Sequence, residues 1–210
     1  MTLVHISHPD EEPDLATVLE NCWHLLQRGV GDRRHGFHNP VLGTSTPDEG
    51  PDARSVILRG FDSRHRLLRF HSDARSAKVR QIEAQPRVSF LFYDVAEKTQ
   101  VRVQALATIH GQDSEPATAA WQGTRLFSRR CYLARRAPGS LSEMPTSGLP
   151  AAVADRSPTR EESEAGLRNF AVVLCEIRRL DWLYLSHQGH CSARFAWDDA
   201  GMLTSNWVQP

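Results

Sequence analysis

Phe70-His71-Ser72-Asp73-Ala74-Arg75-Ser76-Ala77-Lys78 reads as an apolar strand that breaks into a helix. Ser72 and Ser76 put hydroxyls near the free N–H groups of the helix start, and Arg75 and Lys78 add positive charge. That is the composition of a phosphate cradle, although a capped helix with a basic face would use the same residues. A second stretch, Ala53-Arg54-Ser55-Val56-Ile57-Leu58-Arg59, is a strand with an arginine toward each end. Such guanidinium groups can pin an anionic ligand along a strand. Alternation puts Arg54 and Arg59 on opposite faces unless the strand ends or bends there, and two solvent-facing arginines would look the same. In Thr99-Gln100-Val101-Arg102-Val103-Gln104-Ala105 the apolar residues face one way and Gln100, Arg102 and Gln104 the other. Two amides and a guanidinium in a row suit the polar edge of a flat heterocycle, and equally an ordinary solvent face.

Other chemistries find little support. His35-x-x-His38 and His187-x-x-His190 each offer two ligands, but neither has a carboxylate or Cys partner at metal-site spacing, so no metal is expected. The sequence lacks G-x-G-x-x-G, G-x-x-x-x-G-K-[ST] and G-x-S-x-G, which argues against Rossmann, P-loop and α/β-hydrolase chemistry. The chain has 210 residues, with 25 basic and 25 acidic side chains, so bulk attraction to nucleic acid is not expected. Within that balance, arginine supplies all of the basic residues except Lys78 and Lys98. The four cysteines are far apart and form no C-x-x-C pair, which reads as reduced thiols of a cytoplasmic protein. The first residues lack a basic start and a long apolar run, so neither a signal peptide nor a membrane span is expected.

The elements that must position these residues follow from patterning. Asp14 can cap a helix over residues 14–28, within an N-terminal helical segment 1–35. Residues 36–46 start a sheet, and 47–51 form a turn. Strands are expected at 53–60, 67–72, 87–93 and 99–110, with a short helix at 74–84. Residues 114–136 read as helical. Residues 137–159 form a long loop rich in Pro, Gly, Ser and Ala, a candidate flap over a bound ligand. Strands at 171–177, 182–186, 193–197 and 202–208 follow, the last two joined by a hairpin turn at 198–201. Short antiparallel strands in series predict a mainly β (α+β) fold in one domain, residues 1–210, an antiparallel barrel or sandwich with helices at its edge.

Taken in order, A-R-S-V-I-L-R-G-F-D, L-L-R-F-H-S-D-A-R-S-A-K, I-E-A-Q-P-R-V-S-F-L-F-Y, T-Q-V-R-V-Q-A, D-W-L-Y-L and A-R-F-A-W resemble the pyridoxamine 5′-phosphate oxidase-like flavoproteins from about residue 36 to the C-terminus. The resemblance implies a split β-barrel of antiparallel strands, FMN as cofactor, and a homodimer with the flavin in the subunit interface. By that pattern Arg54, Ser72, Ser76 and Lys78 would hold the FMN phosphate. The strand Arg54, Ser55, Val56, Ile57, Leu58, Arg59 would run alongside the flavin. Gln100 would contact the ring, and Trp182 and Arg194 would complete the pocket from the partner subunit. The family usually has Tyr where His71 stands and often Lys at Arg59. Ser128 and Arg129 loosely match a segment that binds substrate phosphate. True pyridoxamine phosphate oxidases carry an Arg-x-His element just before the final Arg-Phe; here that region reads His190-Cys191-Ser192-Ala193-Arg194-Phe195, without the Arg and with His190 out of register.

The expected function is therefore an FMN-dependent oxidoreductase acting on a small substrate. The alternatives are a non-catalytic or reductase-type flavin-binding protein, or a haem-related protein on the same barrel. The missing Arg-x-His weighs against the vitamin B6 substrate in particular.

Overall fold

Asp14 accepts a hydrogen bond from Thr17 N at 2.7 Å and starts helix α1 (Leu15–Gly31), whose Val18, Cys22, Leu25 and Leu26 are buried against the sheet. This computed structural model describes residues 14–46, 48 and 50–210; the expectations for 1–13 and for Pro47 and Glu49 of the turn lie outside the described residues. A 3-10 turn at Gly36–His38 leads into β1 (Val41–Thr46), which pairs antiparallel with β2 (Gly50–Ser55). Asp94 fixes that 3-10 turn by accepting from Gly36 N at 2.7 Å. A side chain at Gly36 would overlap the Tyr93 carbonyl. Gly36→Ala is expected to cost about 1–3 kcal/mol, read as a lowered urea midpoint at unchanged slope.

The remaining strands are β3 (Gly60–Asp62), β4 (Leu67–Asp73), β5 (Arg87–Asp94), β6 (Thr99–His110), β7 (Phe170–Tyr184), β8 (Cys191–Trp197) and β9 (Leu203–Val208). All pairings are antiparallel, in the order β2-β1-β5-β6-β7-β4-β3, with β8 on β7 and β9 on β8. Four residues, Val56 to Arg59, close the circle. Val56 N and Leu58 N donate to Pro40 O and His38 O at 3.0 and 2.9 Å, beside β1; Arg59 N donates to Arg69 O at 2.8 Å, on β4. The stretch expected as one strand at 53–60 thus changes partner midway, which makes a barrel of an otherwise open sheet.

The two strands expected at 171–177 and 182–186 are one 15-residue strand. Its register against β6 shifts between Gln104 and Ala105, where Arg178 is the extra residue. Before this bulge β7 pairs with β4, and after it with β8. A bulge bends a strand, and here it turns β7 from one neighbour to the other, so the barrel is split.

Alternation fills the interior: Leu68 and Phe70, Val88, Phe90 and Phe92, Val101 and Val103, with Val56 and Leu58 from the closing segment. Helix α2 (Ala77–Ala84) follows β4, and Ile82 joins this core. A second, smaller cluster of Ala117, Trp121, Tyr132, Phe170 and Val172 lies under the helical segment that follows β6. That segment was expected as one helix, but it breaks into α3 (Glu115–Gly123), α4 (Leu126–Arg129) and a 3-10 turn (Arg130–Leu133). The break is held by Arg129, whose guanidinium donates to the Thr124 carbonyl just past α3 and to the Trp121 carbonyl, which also accepts from Thr124 N. Within 137–159 a single short helix, α5 (Ala151–Ala154), forms, and α6 (Arg160–Glu164) follows with a full Thr159–Glu162 capping box. No described helix is long and apolar enough to cross a membrane.

Candidate functional site

Three elements converge at the start of α2. From the end of β4, Ser72 Oγ lies 3.0 Å from Ser76 Oγ, and Lys78 Nζ lies 3.5 Å from Ser72 Oγ. Ser76 stands at the N-cap of α2 without using its hydroxyl as a cap. From β2, Arg54 donates to Thr44 Oγ1 at 2.5 Å, to Gln81 Oε1 at 2.9 Å and to the Asp52 carboxylate. Gln81 binds β1 and β2 together by accepting from Thr44 Oγ1 at 2.6 Å and donating to Asp52 at 3.3 Å. Burial, and then the charge of Arg54, pull the Lys78 ammonium below its ordinary range. The Gln81 amide, with the Arg54 charge behind it, holds the Asp52 carboxyl below its own. Two cations, two hydroxyls and a helix start are therefore neighbours, offset by the half-exposed Asp52 and by Asp73, which Arg75 pairs. A phosphate dianion fits such a donor set.

β2 ends at Ser55, so strand alternation does not carry from Arg54 to Arg59. Arg59 opens into a separate cavity of 330 Å³, lined with Phe127, Ser128, Arg130, Cys131, Ser147 and Leu149. Arg130 is tied to the Ala154 carbonyl at 2.6 Å and stacks on Phe127. Between the two arginines, Val56 and Leu58 are buried in the core and can offer a ligand only backbone, whereas Ser55 and Ile57 are exposed.

His71 stands one residue before the cradle with its ring edge-on to Phe170 at 4.9 Å, and its Nε2 is buried without a partner. Burial first, then the charges of Arg69 and Arg59, push its pKa down to about 3. The folded protein therefore keeps His71 neutral, while the unfolded chain takes up a proton below about pH 6.5. The sign follows: His71 subtracts stability progressively as pH falls from about 6.5 towards 3. His71→Gln is expected to flatten the loss of stability between pH 6.5 and 4, and the His71 ring signal of the wild type should not titrate above pH 4.

The other expected residues are spread over β6 to β8. Gln100 is half-buried, in register with Tyr93 and Leu183. Arg194 Nε donates to Asp181 at 2.9 Å, and the same carboxylate takes Arg102 at 3.1 Å and Arg179 at 2.7 Å; Arg179 and Arg194 hold its pKa down despite burial. Trp182 is 2% exposed, inside the core beside Tyr184 and Trp207. None of these partners is a cradle residue. Ser128 lines the Arg59 cavity. His190 is exposed on the β7–β8 turn, where its Nδ1 accepts from Ser186 N at 3.2 Å.

Arg129 corrects the expectation of a substrate contact. Its side chain is 1% exposed, and its nitrogens are taken by Trp121, Gln122 and Thr124 carbonyls, by Ser163 Oγ and by Glu164. A guanidinium with every donor used inside the chain has none for a ligand. Sequence reasoning missed Thr44, Asp52 and Gln81. Gln81 carried a signal, since it sits three residues after Lys78 and so on the same helix face; Thr44 and Asp52 carried none. All four cysteines are free, Cys22 and Cys175 in the core. Among the described residues no three His, Cys, Asp or Glu side chains gather as a metal site needs.

The molecule is an antiparallel split barrel with a cluster of cations and hydroxyls at a strand–helix junction. Residues 11–112 match the family model described as the pyridoxamine 5′-phosphate oxidase FMN-binding domain. Over that stretch the chain is similar to this family, and its fold is that of the split-barrel proteins related to the oxidase. It is 43% identical over 95 residues to a pyridoxine/pyridoxamine 5′-phosphate oxidase of Rubrobacter xylanophilus, a stretch covering 44% of this chain and 42% of that protein. It is 40% identical over 64 residues to the protein of the same name from Azorhizobium caulinodans, covering 30% of this chain and 29% of that one. The chain thus matches less than half the length of these curated relatives. The fold is similar throughout to a pyridoxamine 5′-phosphate oxidase-related, FMN binding protein of Nostoc punctiforme, with a TM-score of 0.74 at 23% identity over 94% of this chain and 100% of that one. It is also similar to PhzG of Burkholderia lata, solved with tetrahydrophenazine-1-carboxylic acid, with a TM-score of 0.68 at 18% identity over 97% of each chain.

Proposed function

We propose that the protein binds FMN, with the phosphate held by Arg54, Ser72, Ser76 and Lys78, and that it acts as an FMN-dependent oxidoreductase on a small anionic substrate. The observation that carries this is the Lys78 ammonium beside the Ser72 and Ser76 hydroxyls at the start of α2, with the Arg54 charge near enough to act on it. When bound, the flavin supplies hydride transfer. The chain's own residues bind and orient. Arg59 offers its cavity a cation to which no carboxylate of the described residues is paired. An unpaired cation in a half-closed cavity favours an anionic substrate.

The same reading takes the protein as a homodimer. Val41, Ile57, Leu91 and Tyr93 are all exposed, and Val41 and Leu91 are neighbours in register, in a row that continues through Arg102 and Asp181 to Arg194. A second copy on this face would cover the apolar residues and bring Gln100 and Arg194 towards the partner's flavin. A dimeric mass in light scattering supports this, and a monomer at micromolar concentration contradicts it.

A second reading, a flavin-binding protein that does not turn over a vitamin B6 phosphate, is favoured by the locked Arg129 and by His190 on an exposed turn. Adding pyridoxamine 5′-phosphate to the FMN-loaded protein without air separates the two. Bleaching of the flavin with a matching amount of pyridoxal 5′-phosphate formed before air is admitted, and return of the colour with peroxide on admitting air, supports the oxidase. Unchanged colour at high enzyme supports the second reading.

A further inference from the structure

The phosphate cradle is tied to the loop that walls the Arg59 cavity, and one side chain makes the tie. Asp73 ends β4 with its carboxylate buried, accepting from Arg75 N at 2.9 Å, Nε at 2.9 Å and Nη2 at 2.7 Å. The same Nη2 donates to Ala134 O at 3.0 Å, and Nη1 to Arg135 O at 3.4 Å. Arg135 N then donates to Gly148 O at 3.3 Å, which draws the two ends of the 135–148 loop together. Beyond that neck the loop bonds to itself, Arg136 to Leu141 O at 2.9 Å and Ser142 to Met144 O at 2.7 Å, and carries Leu141 and Met144 exposed. Ser147 and Leu149, at its far end, line the Arg59 cavity.

On its other side Arg75 sits between Ser72 and Ser76, three residues before Lys78. Asp73 acts electrostatically on Lys78, so an unneutralised Asp73 would oppose an anion in the cradle. We propose that Arg75 is a positioning residue that couples the two sites: it neutralises Asp73 beside the cradle and, with the same guanidinium, holds the 135–148 loop over the Arg59 cavity. The proposal rests on FMN occupying the cradle. A phosphate there fixes Ser72, Ser76 and Lys78, and with them the backbone of Arg75, so opening the loop costs more when the cofactor is bound. By reciprocity, a closed loop holds the cofactor tighter.

The test is trypsin cleavage after Arg135 and Arg136, read by mass spectrometry with and without FMN, beside FMN affinity by flavin fluorescence. Wild-type cleavage is expected to slow about tenfold on FMN binding. Arg75→Lys keeps a charge for Asp73 but cannot also span to Ala134 O, so it should weaken FMN by up to about the same tenfold while its loop is cut equally fast with and without FMN. Arg75→Ala should bind FMN about tenfold more weakly, and its loop should be cut faster than wild type even without FMN. FMN protection in both variants equal to that of wild type overturns the coupling. Equal cleavage of wild type and Arg75→Ala without FMN overturns the tether. Failure of the wild type to bind FMN sinks the cofactor reading instead, and the FMN-free comparison still decides the tether.

Discussion

Replacing Arg54 with alanine is expected to raise the dissociation constant for FMN about 100-fold. Arg54 is the cradle's strongest donor, with a guanidinium already aimed between Thr44, Gln81 and Asp52. A hydrogen bond to a charged group contributes about 1.5–3 kcal/mol, and a bidentate one lies at the upper end. Arg54→Ala also leaves Asp52 unpaired and facing the incoming dianion. Together these amount to about 3 kcal/mol, or two powers of ten in affinity. Arg54→Lys keeps the charge without the fork and should fall between, at about tenfold. Asp52→Asn in the wild-type background removes the competing carboxylate and should tighten binding. Fluorescence titration of the four proteins reads all of this. An unchanged affinity in Arg54→Ala means that the anion is held elsewhere.

The second large effect concerns stability alone. Arg129→Ala is expected to destabilise the fold by about 3 kcal/mol, with a fall in Tm of about 6–12 °C for a chain of this size. The loss is less the ion pair, since Glu164 is half exposed, than the Gln122 and Thr124 carbonyls left without this donor, the bond lost at Trp121 O and the empty space against Trp121. Those carbonyls end α3, so the break between α3 and α4 should loosen first. FMN affinity should stay within about threefold of wild type, because Arg129 touches no cradle residue. A variant as stable as wild type in thermal melts, or one that loses FMN with its stability intact, contradicts this role and returns Arg129 to the substrate site.

These two arginines show what a sequence can and cannot reveal. Lys78 was legible as a rare lysine beside Ser72 and Ser76 at a strand–helix break, and the structure brings the three side chains together. Arg54 was legible as an arginine on a strand, but its bonds to Gln81 and Thr44 depend on how α2 packs on β1 and β2, which no local pattern encodes. Arg129 looked like its neighbour Arg130 in sequence; only the helix break, set by which carbonyls lack partners, buries one and not the other. The strands were legible from alternation, as in Val88-Ser89-Phe90-Leu91-Phe92. The union of 171–177 and 182–186 was not, because Arg178, Arg179 and Asp181 are polar residues inside a continuous strand. A bulge and the three-arginine cluster on Asp181 accommodate them there. The barrel closure at Val56–Arg59 was equally hidden, since one apolar run serves two different neighbours.

The central claim is that the Arg54–Ser72–Ser76–Lys78 cradle holds the phosphate of a flavin nucleotide. Its most direct measurement compares FMN with riboflavin, which has the same ring and no phosphate, by calorimetric titration of the wild-type protein. FMN is predicted to bind at least about 100-fold more tightly, with a gap that narrows as salt rises and closes to less than about tenfold in an Arg54→Ala, Lys78→Ala double variant. Equal affinity for the two flavins, or a gap that survives the double variant, would contradict the assignment.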